Sequence, residues 1–134
     1  MIKNYYYFIL AILTILFSFS HAWNGHTTIL PIIDGSSINV STKTTLFYVW
    51  HIITAENVIF GGAFFVMAFS KEFIKIKFTA WVIASIMIAR WLIIFGSTLY
   101  RNVSGLNGIL TDTIAIMIYV GLIILGTRER KKLF

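Results

Sequence analysis

The stretch FTAWVIASIMIARWLIIFGSTLY, residues Phe78–Tyr100, decides the fold class of this chain. A helix that crosses a membrane needs about 20 predominantly apolar residues, and this stretch provides them with a single formal charge, Arg90. A charge near the middle of a span costs roughly 3 kcal/mol on insertion scales, so it needs a partner or a water-filled cavity. The stretch therefore predicts a transmembrane helix that carries one exceptional residue.

Three further windows have the same apolar character, and together the four predict an all-α, four-helix transmembrane antiparallel bundle. The composition agrees, because 58% of the residues are hydrophobic and 12% are charged, whereas a soluble domain is about 25% charged. We expect residues 1–134 to form a single four-span membrane domain with a long outer loop over residues 24–45. The predicted spans are Tyr5–Trp23, Leu46–Ser70, Phe78–Tyr100 and Gly108–Thr127.

The first window also has the features of a secretory signal peptide. Lys3 precedes an apolar core, and Ser20-His21-Ala22 is a cleavage site of the small-residue type. We predict a retained first span, and a cleaved signal peptide is the alternative.

Basic residues flank the predicted spans unevenly, which predicts the orientation. One set of segments holds eight of them: Lys3, Lys71, Lys75, Lys77, Arg128, Arg130, Lys131 and Lys132. The opposite set holds only Lys43 and Arg101. Because cytoplasmic loops carry the excess of Lys and Arg, both termini are predicted to be cytoplasmic. The net charge of +6 follows from this distribution, so we expect the lipid bilayer and no nucleic acid as a partner. The predicted location is the cytoplasmic (inner) membrane.

Glu56 and Arg90 are opposite charges predicted to lie near the membrane midplane on consecutive antiparallel helices. Pairing through charge-assisted hydrogen bonds would lower the cost of burying both groups. A structural ion pair that fixes the register of the helices is one interpretation. An anion-binding site or a proton-coupled carboxylate is the other.

Other polar side chains are predicted between the midplane and the outer face, judged from a rise of about 1.5 Å per residue. The inner halves of the spans are almost purely apolar, so we predict a polar cavity that opens outward. Asp112 has an alternative role, since a carboxylate in the first turns of a helix favours the helix N-terminus. The predicted ligand-binding set is Glu56, Arg90, His51, Asn57, Asp112 and Tyr119.

The histidines suggest a second kind of site. His21, His26, His51 and Asp112 are a possible ligand set for Zn or Cu, and His21 with His51 could ligate a haem. Their spacing matches no metal-binding motif, and the chain has no cysteine. We therefore predict no metal or cofactor, with hydrogen-bonded membrane-interface histidines as the favoured interpretation and Zn, Cu or haem as the alternative.

A sequence-wide pattern resembles that of small uncharacterised four-helix bacterial integral membrane proteins. It combines His21 and Trp23 at the end of the first helix, Pro31 in the loop, Trp50-His51 near the start of the second helix and Arg90 in the third. The resemblance implies the four-helix fold and assigns no site residue. Small multidrug exporters differ, because their key Glu lies in the first helix.

These observations favour a protein that binds, or helps to transport, a small polar or anionic ligand, and they favour this role over that of an enzyme. A metal- or haem-dependent membrane enzyme or redox protein using His21, His51 and Asp112 is one alternative. An accessory subunit of a larger membrane complex is another. A homo-dimer or a membrane partner subunit is compatible with each interpretation.

Overall fold

The computed structural model of the chain describes residues Met1–Arg128. Three of the eight basic residues counted above, Arg130, Lys131 and Lys132, therefore lie outside the described residues. Almost all of the described residues are helical. In chain order the elements are α1 (Tyr5–Asn24), a π-helical turn (Gly25–Ile29), α2 (Leu30–Gly35), α3 (Val40–Phe69), α4 (Phe73–Arg101), a 3-10 helix (Val103–Ile109) and α5 (Leu110–Arg128).

Four helical stretches are long and apolar enough to cross a membrane, which confirms the prediction of an all-α chain with four apolar helices. Large apolar side chains are widely exposed on them, as in Phe19 at 72% and Ile93 at 67%. Exposed apolar surface on this scale is unfavourable in water and is expected where a helix faces lipid. The stretches are Tyr5–Gly35, Val40–Phe69, Ile74–Arg101 and Val103–Arg128.

The helices extend well beyond the predicted spans at the segment interpreted as the outer loop. The sequence predicts a loop over residues 24–45, but α1 continues through the π-helical turn and α2 as far as Gly35, and α3 already begins at Val40. Only residues 36–39 separate the two helical stretches. The segment contains four turn signals, Asn24-Gly25, Pro31, Asp34-Gly35 and Ser36-Ser37, and only the last two lie where the helix ends.

Pro31 does not break the helix because of where it lies. It occupies the first turn of α2, directly after the π-helical turn, where a missing backbone N–H and a fixed φ are tolerated. The backbone N–H of Leu30 donates to the carbonyl of Gly25, five residues earlier, and this bond closes the wider turn. Asn24-Gly25 and Pro31 therefore mark a local change of helix type rather than its end.

The chain divides into two compact units by its internal contacts. Unit 1 comprises Met1–Leu10 together with the chain from Val66 onward, and unit 2 comprises Ala11–Phe65.

In unit 1 the N-terminal residues are held by hydrogen bonds to two other helices. The backbone N–H groups of Lys3 and Asn4 donate to the carbonyl of Ala68, at 2.8 and 3.1 Å. The Asn4 side chain caps α1 by accepting from the N–H of Tyr7, and its Nδ2 donates to the carbonyl of Gly126 at 2.8 Å. Asn4 thus links the start of α1 to the last turns of α3 and α5.

In unit 2 the facing sides of α1 and α3 are lined by small and polar residues. A Cβ at Gly61 would lie 2.7 Å from the Ile15 side chain and 3.5 Å from the carbonyl of Ala11. The hydroxyl of Ser18 donates to the carbonyl of Thr54 at 3.0 Å. Small residues let helix backbones approach closely in a membrane, and hydroxyls then bond across the interface.

Substitution of Gly61 by alanine is expected to destabilise the protein by about 1 kcal/mol, because the Ile15 side chain must move to admit the new methyl group. Gly62 is the matched control, since a Cβ there meets nothing within 4 Å. Gly62→Ala should be neutral or slightly stabilising, because alanine is the better helix former. Unfolding of the purified protein in mixed micelles measures both; equal effects would contradict the close approach at Gly61.

Candidate functional site

The π-helical turn at the end of α1 is built around the indole ring of Trp50 on α3. Gly25, the first residue of the turn, is buried and packs against this ring. A Cβ at Gly25 would come within 2.7 Å of the Trp50 Cδ1 atom, so no larger residue fits without displacing the indole. Gly25 is therefore required because two helices approach each other closely at this position, and not because the chain reverses direction there.

Trp50 is also bonded to and stacked on His21. Its Nε1–H donates to the His21 carbonyl at 3.1 Å. The His21 imidazole lies parallel to the indole, with ring centroids 4.3 Å apart and an interplanar angle of 7°. The hydrogen bond and the stacked rings fix the position of the indole against the last turns of α1.

His26 and His51 form a second pair in the same unit. Their Nε2 atoms lie 3.2 Å apart, and the Nδ1 of His51 lies 2.8 Å from the carbonyl of Phe47. The Phe47 ring stacks on His51 at 4.3 Å and meets His26 edge-on at 6.3 Å. His26 is exposed and His51 is half-buried. The two imidazoles therefore face each other at a position that remains accessible.

Polar residues continue along the helices away from the histidines. Thr54 is half-buried one turn beyond Trp50, and Glu56 is half-buried as well. Asn57 follows at 2% exposure, and on α1 Thr14 and Ser18 are also 2% exposed. Buried polar side chains within a span are uncommon, and they mark either a helix interface or a functional path.

The predicted ligand-binding residues are found in both units. His51, Glu56 and Asn57 lie on the unit 2 part of α3, while Arg90, Asp112 and Tyr119 belong to unit 1. Arg90 and Tyr119 are half-buried. Asp112 is exposed in the first turn of α5, the location on which its alternative role at the helix N-terminus depends. The pairing of Glu56 with Arg90 stays a prediction.

The metal and haem alternatives depend on which of their candidate ligands the structure brings together. Among residues 1–128, no group of three or more His, Cys, Asp or Glu side chains could hold a metal ion. The Zn or Cu site of His21, His26, His51 and Asp112 stays an untested alternative, and of these residues the structure brings His26 and His51 together. The imidazole of His21 stacks on Trp50 while Nε2 of His51 faces His26, and a haem held by His21 and His51 likewise stays an untested alternative.

Sequence reasoning did not identify Gly25, Phe47 and Trp50 as part of this cluster. In the sequence, Asn24-Gly25 is a turn signal and Trp50 is an aromatic residue near the end of a predicted span, as is typical of the membrane interface. The available signal was a four-residue spacing, in which His21 precedes Gly25 and Phe47 precedes His51 on single helix faces. The spacing of Phe47 and His51 lies within the predicted span Leu46–Ser70, whereas that of His21 and Gly25 has meaning only if helix continues beyond Trp23.

No protein-family model, curated protein or solved structure matches this chain.

Proposed function

We propose that this is a multi-pass membrane protein of the cytoplasmic membrane that binds, or helps to transport, a small polar or anionic ligand. The ligand would enter from the outer side, between the first two spans. The observation that carries the proposal is the polar face of α3, on which His51 and Thr54 are half-buried and Asn57 is buried; Glu56 is half-buried on another side of the helix. Polar groups in a span are costly, and this makes them candidates for function.

An antiparallel bundle with both termini in the cytoplasm is part of the proposal. It is supported in unit 2 by the pairings of His21 with Trp50 and of Ser18 with Thr54. In unit 1 it is supported by the hydrogen bonds that join Asn4 to Ala68 and Gly126. Basic residues flank these same helix ends, as the positive-inside rule requires of the cytoplasmic side. They are Lys3, Lys71, Lys75, Lys77 and Arg128.

Depth along α3 supports access from the outer end. His51 lies about 7.5 Å nearer the outer end of α3 than Glu56, and Asn57 lies one residue deeper than Glu56. The buried Asn57 would form the floor of the site, with the half-buried Thr54 in its wall, whereas Glu56 points to another side of α3. Phe60 and Phe64 continue the helix at 8% and 0% exposure, so an apolar layer separates this site from the inner end.

Single-cysteine labelling tests the proposal directly, because the native chain has no cysteine. Thr54→Cys should react with a polar, membrane-impermeant thiol reagent added outside. Ile52→Cys is the matched control, since Ile52 is 52% exposed at nearly the same depth but would face lipid. Phe64→Cys should react from neither side. Equal reactivity at 52 and 54, or reaction of Phe64→Cys from inside, would refute an outward polar site.

Ligand binding itself is tested by protection of Thr54→Cys from the reagent. Acetate, nitrate and phosphate serve as small anionic probes, and glycerol and urea as small neutral ones. At least one of them should slow labelling at position 54 while leaving Ser37→Cys, in the exposed connection, unchanged. If none protects position 54 selectively, the binding role is wrong, even if the labelling shows that water reaches the site.

An accessory-subunit role is the second candidate, and one observation favours it. In the most apolar window of the stretch Val103–Arg128, only 6% of the residues are buried, compared with 33% for Val40–Phe69. A span that its own chain covers so little can present almost its whole surface to lipid or to a partner. A second membrane protein that co-purifies stoichiometrically in mild detergent, and is lost when α5 carries bulky substitutions, would favour this role.

A further inference from the structure

We propose that His26 and His51 together bind one divalent transition-metal ion of the Zn²⁺ class through their Nε2 atoms. The site shares His51 with the polar residues that carry the ligand-binding proposal, but neither Thr54 nor the deeper polar residues of α3 take part in it.

The separation of the two nitrogens fits a shared ion. Zinc–imidazole bonds are about 2.0–2.1 Å long, and two such bonds at a roughly tetrahedral angle hold their nitrogens about 3.3 Å apart. The Nε2 atoms of His26 and His51 are 3.2 Å apart. Two adjacent corners of a square-planar site with the same bonds would be about 2.8–3.0 Å apart, so the separation is nearer to the tetrahedral value.

The contacts of His51 leave the lone pair of its Nε2 atom available to a metal ion. A carbonyl oxygen only accepts hydrogen bonds, so the 2.8 Å contact with Phe47 assigns the proton of neutral His51 to Nδ1. The lone pair of that imidazole then lies on Nε2. Metal-binding histidines typically donate their other N–H to a carbonyl or carboxylate, which fixes the tautomer and the ring orientation. The stacked Phe47 ring restricts His51 further.

Without a metal, the same geometry is that of a hydrogen bond from His26 to His51. This bond holds the two nitrogens at the separation that an ion requires. When the ion binds, neutral His26 changes tautomer: its proton leaves Nε2 and is carried on Nδ1, so both imidazoles stay neutral and both Nε2 lone pairs face the ion. Two protein ligands leave two of the four tetrahedral positions for water or another small ligand. An open coordination sphere of this kind suits exchange or catalysis better than a permanent structural role.

The test uses the full chain in detergent micelles, without a histidine tag. Equilibrium dialysis with Zn²⁺ should give one ion per chain, and Co²⁺ should give the intense visible bands of a four-coordinate site. His26→Ala and His51→Ala should each weaken binding at least tenfold, and the double variant should abolish it. His21→Phe is the control, because it removes the remaining imidazole but keeps an aromatic ring for Trp50 to stack on.

A further variant separates metal binding from folding. Phe47→Leu keeps the backbone carbonyl and removes the stacked ring, so it should weaken Zn²⁺ binding while the far-ultraviolet circular dichroism stays helical. Undiminished Zn²⁺ binding by the double alanine variant would overturn the proposal. So would the absence of Zn²⁺ binding by a wild-type protein with the helical spectrum. Loss of binding in His21→Phe but not in His26→Ala would assign the ion to other ligands.

Discussion

Trp50→Ala is expected to destabilise the protein by about 3 kcal/mol, one of the two largest effects that we predict. The substitution removes the ring that fills the space beside Gly25, and it removes the hydrogen bond to the His21 carbonyl. It also leaves His21 without the ring on which it stacks. Reversible unfolding in mixed micelles, followed by circular dichroism, measures the change in free energy.

Trp23→Ala is the matched control. Trp23 belongs to the same unit and is 74% exposed, so its loss should change the stability by less than about 0.5 kcal/mol. A stricter test combines two substitutions. Gly25→Ala should lower the free energy of unfolding of the wild-type chain. In the Trp50→Ala background it should leave that free energy nearly unchanged, because the clashing ring is gone. Additive losses would show that the indole does not occupy the space beside Gly25.

The second large effect is expected for Gly126→Val in unit 1, at about 2–3 kcal/mol. A Cβ at Gly126 would lie 2.6 Å from Cε1 and 2.9 Å from Cζ of the Tyr7 ring. Tyr7 is 1% exposed, so its rigid ring has no free space into which to move. The carbonyl of Gly126 also accepts the Asn4 side chain, and any shift of the backbone would strain that bond.

Gly121→Val provides the control on the same helix, because a Cβ at Gly121 meets nothing within 4 Å. Both variants place a β-branched residue in α5, so their difference isolates the contact with Tyr7. In a Tyr7→Ala background the extra cost of Gly126→Val should disappear. If Gly121→Val and Gly126→Val unfold at the same denaturant concentration, the packing of Tyr7 on α5 is refuted.

The apolar helices were predictable from the sequence because lipid imposes a simple requirement. A spanning segment must be long and apolar, and it must satisfy its own backbone hydrogen bonds. Composition alone reveals such segments, as in Phe78–Tyr100. The helix from Asn24 to Gly35 was not predictable in the same way. Asn24-Gly25 and Pro31 are normally turn signals, and only the contact with a distant Trp50 shows why Gly25 is required.

The candidate site was predictable in its residue types but not in its pairings. His21, His26 and His51 were expected near the outer face, and the structure brings His26 to His51 and His21 to Trp50. These contacts depend on helix rotation and on the extra residue accommodated by a π-helical turn, neither of which hydrophobic periodicity specifies. The partner of Arg90 depends on how distant helices pack, and the sequence alone supports only a hypothesis about it.

The contacts of Asn4 have a consequence for the order in which the chain is made. Asn4 leaves the ribosome well before its partner, because the carbonyl that accepts a hydrogen bond from its side-chain amide follows 122 residues later. At about 5–20 residues per second, that interval is roughly 6–24 seconds. During that interval the side-chain amide of Asn4 must be hydrated by interfacial water or held by the insertion machinery. The hydrogen bonds from the backbone of Lys3 and Asn4 to the carbonyl of Ala68 can form earlier. A chain arrested before Gly126 therefore keeps the start of α1 bonded to α3 but lacks its bond to α5.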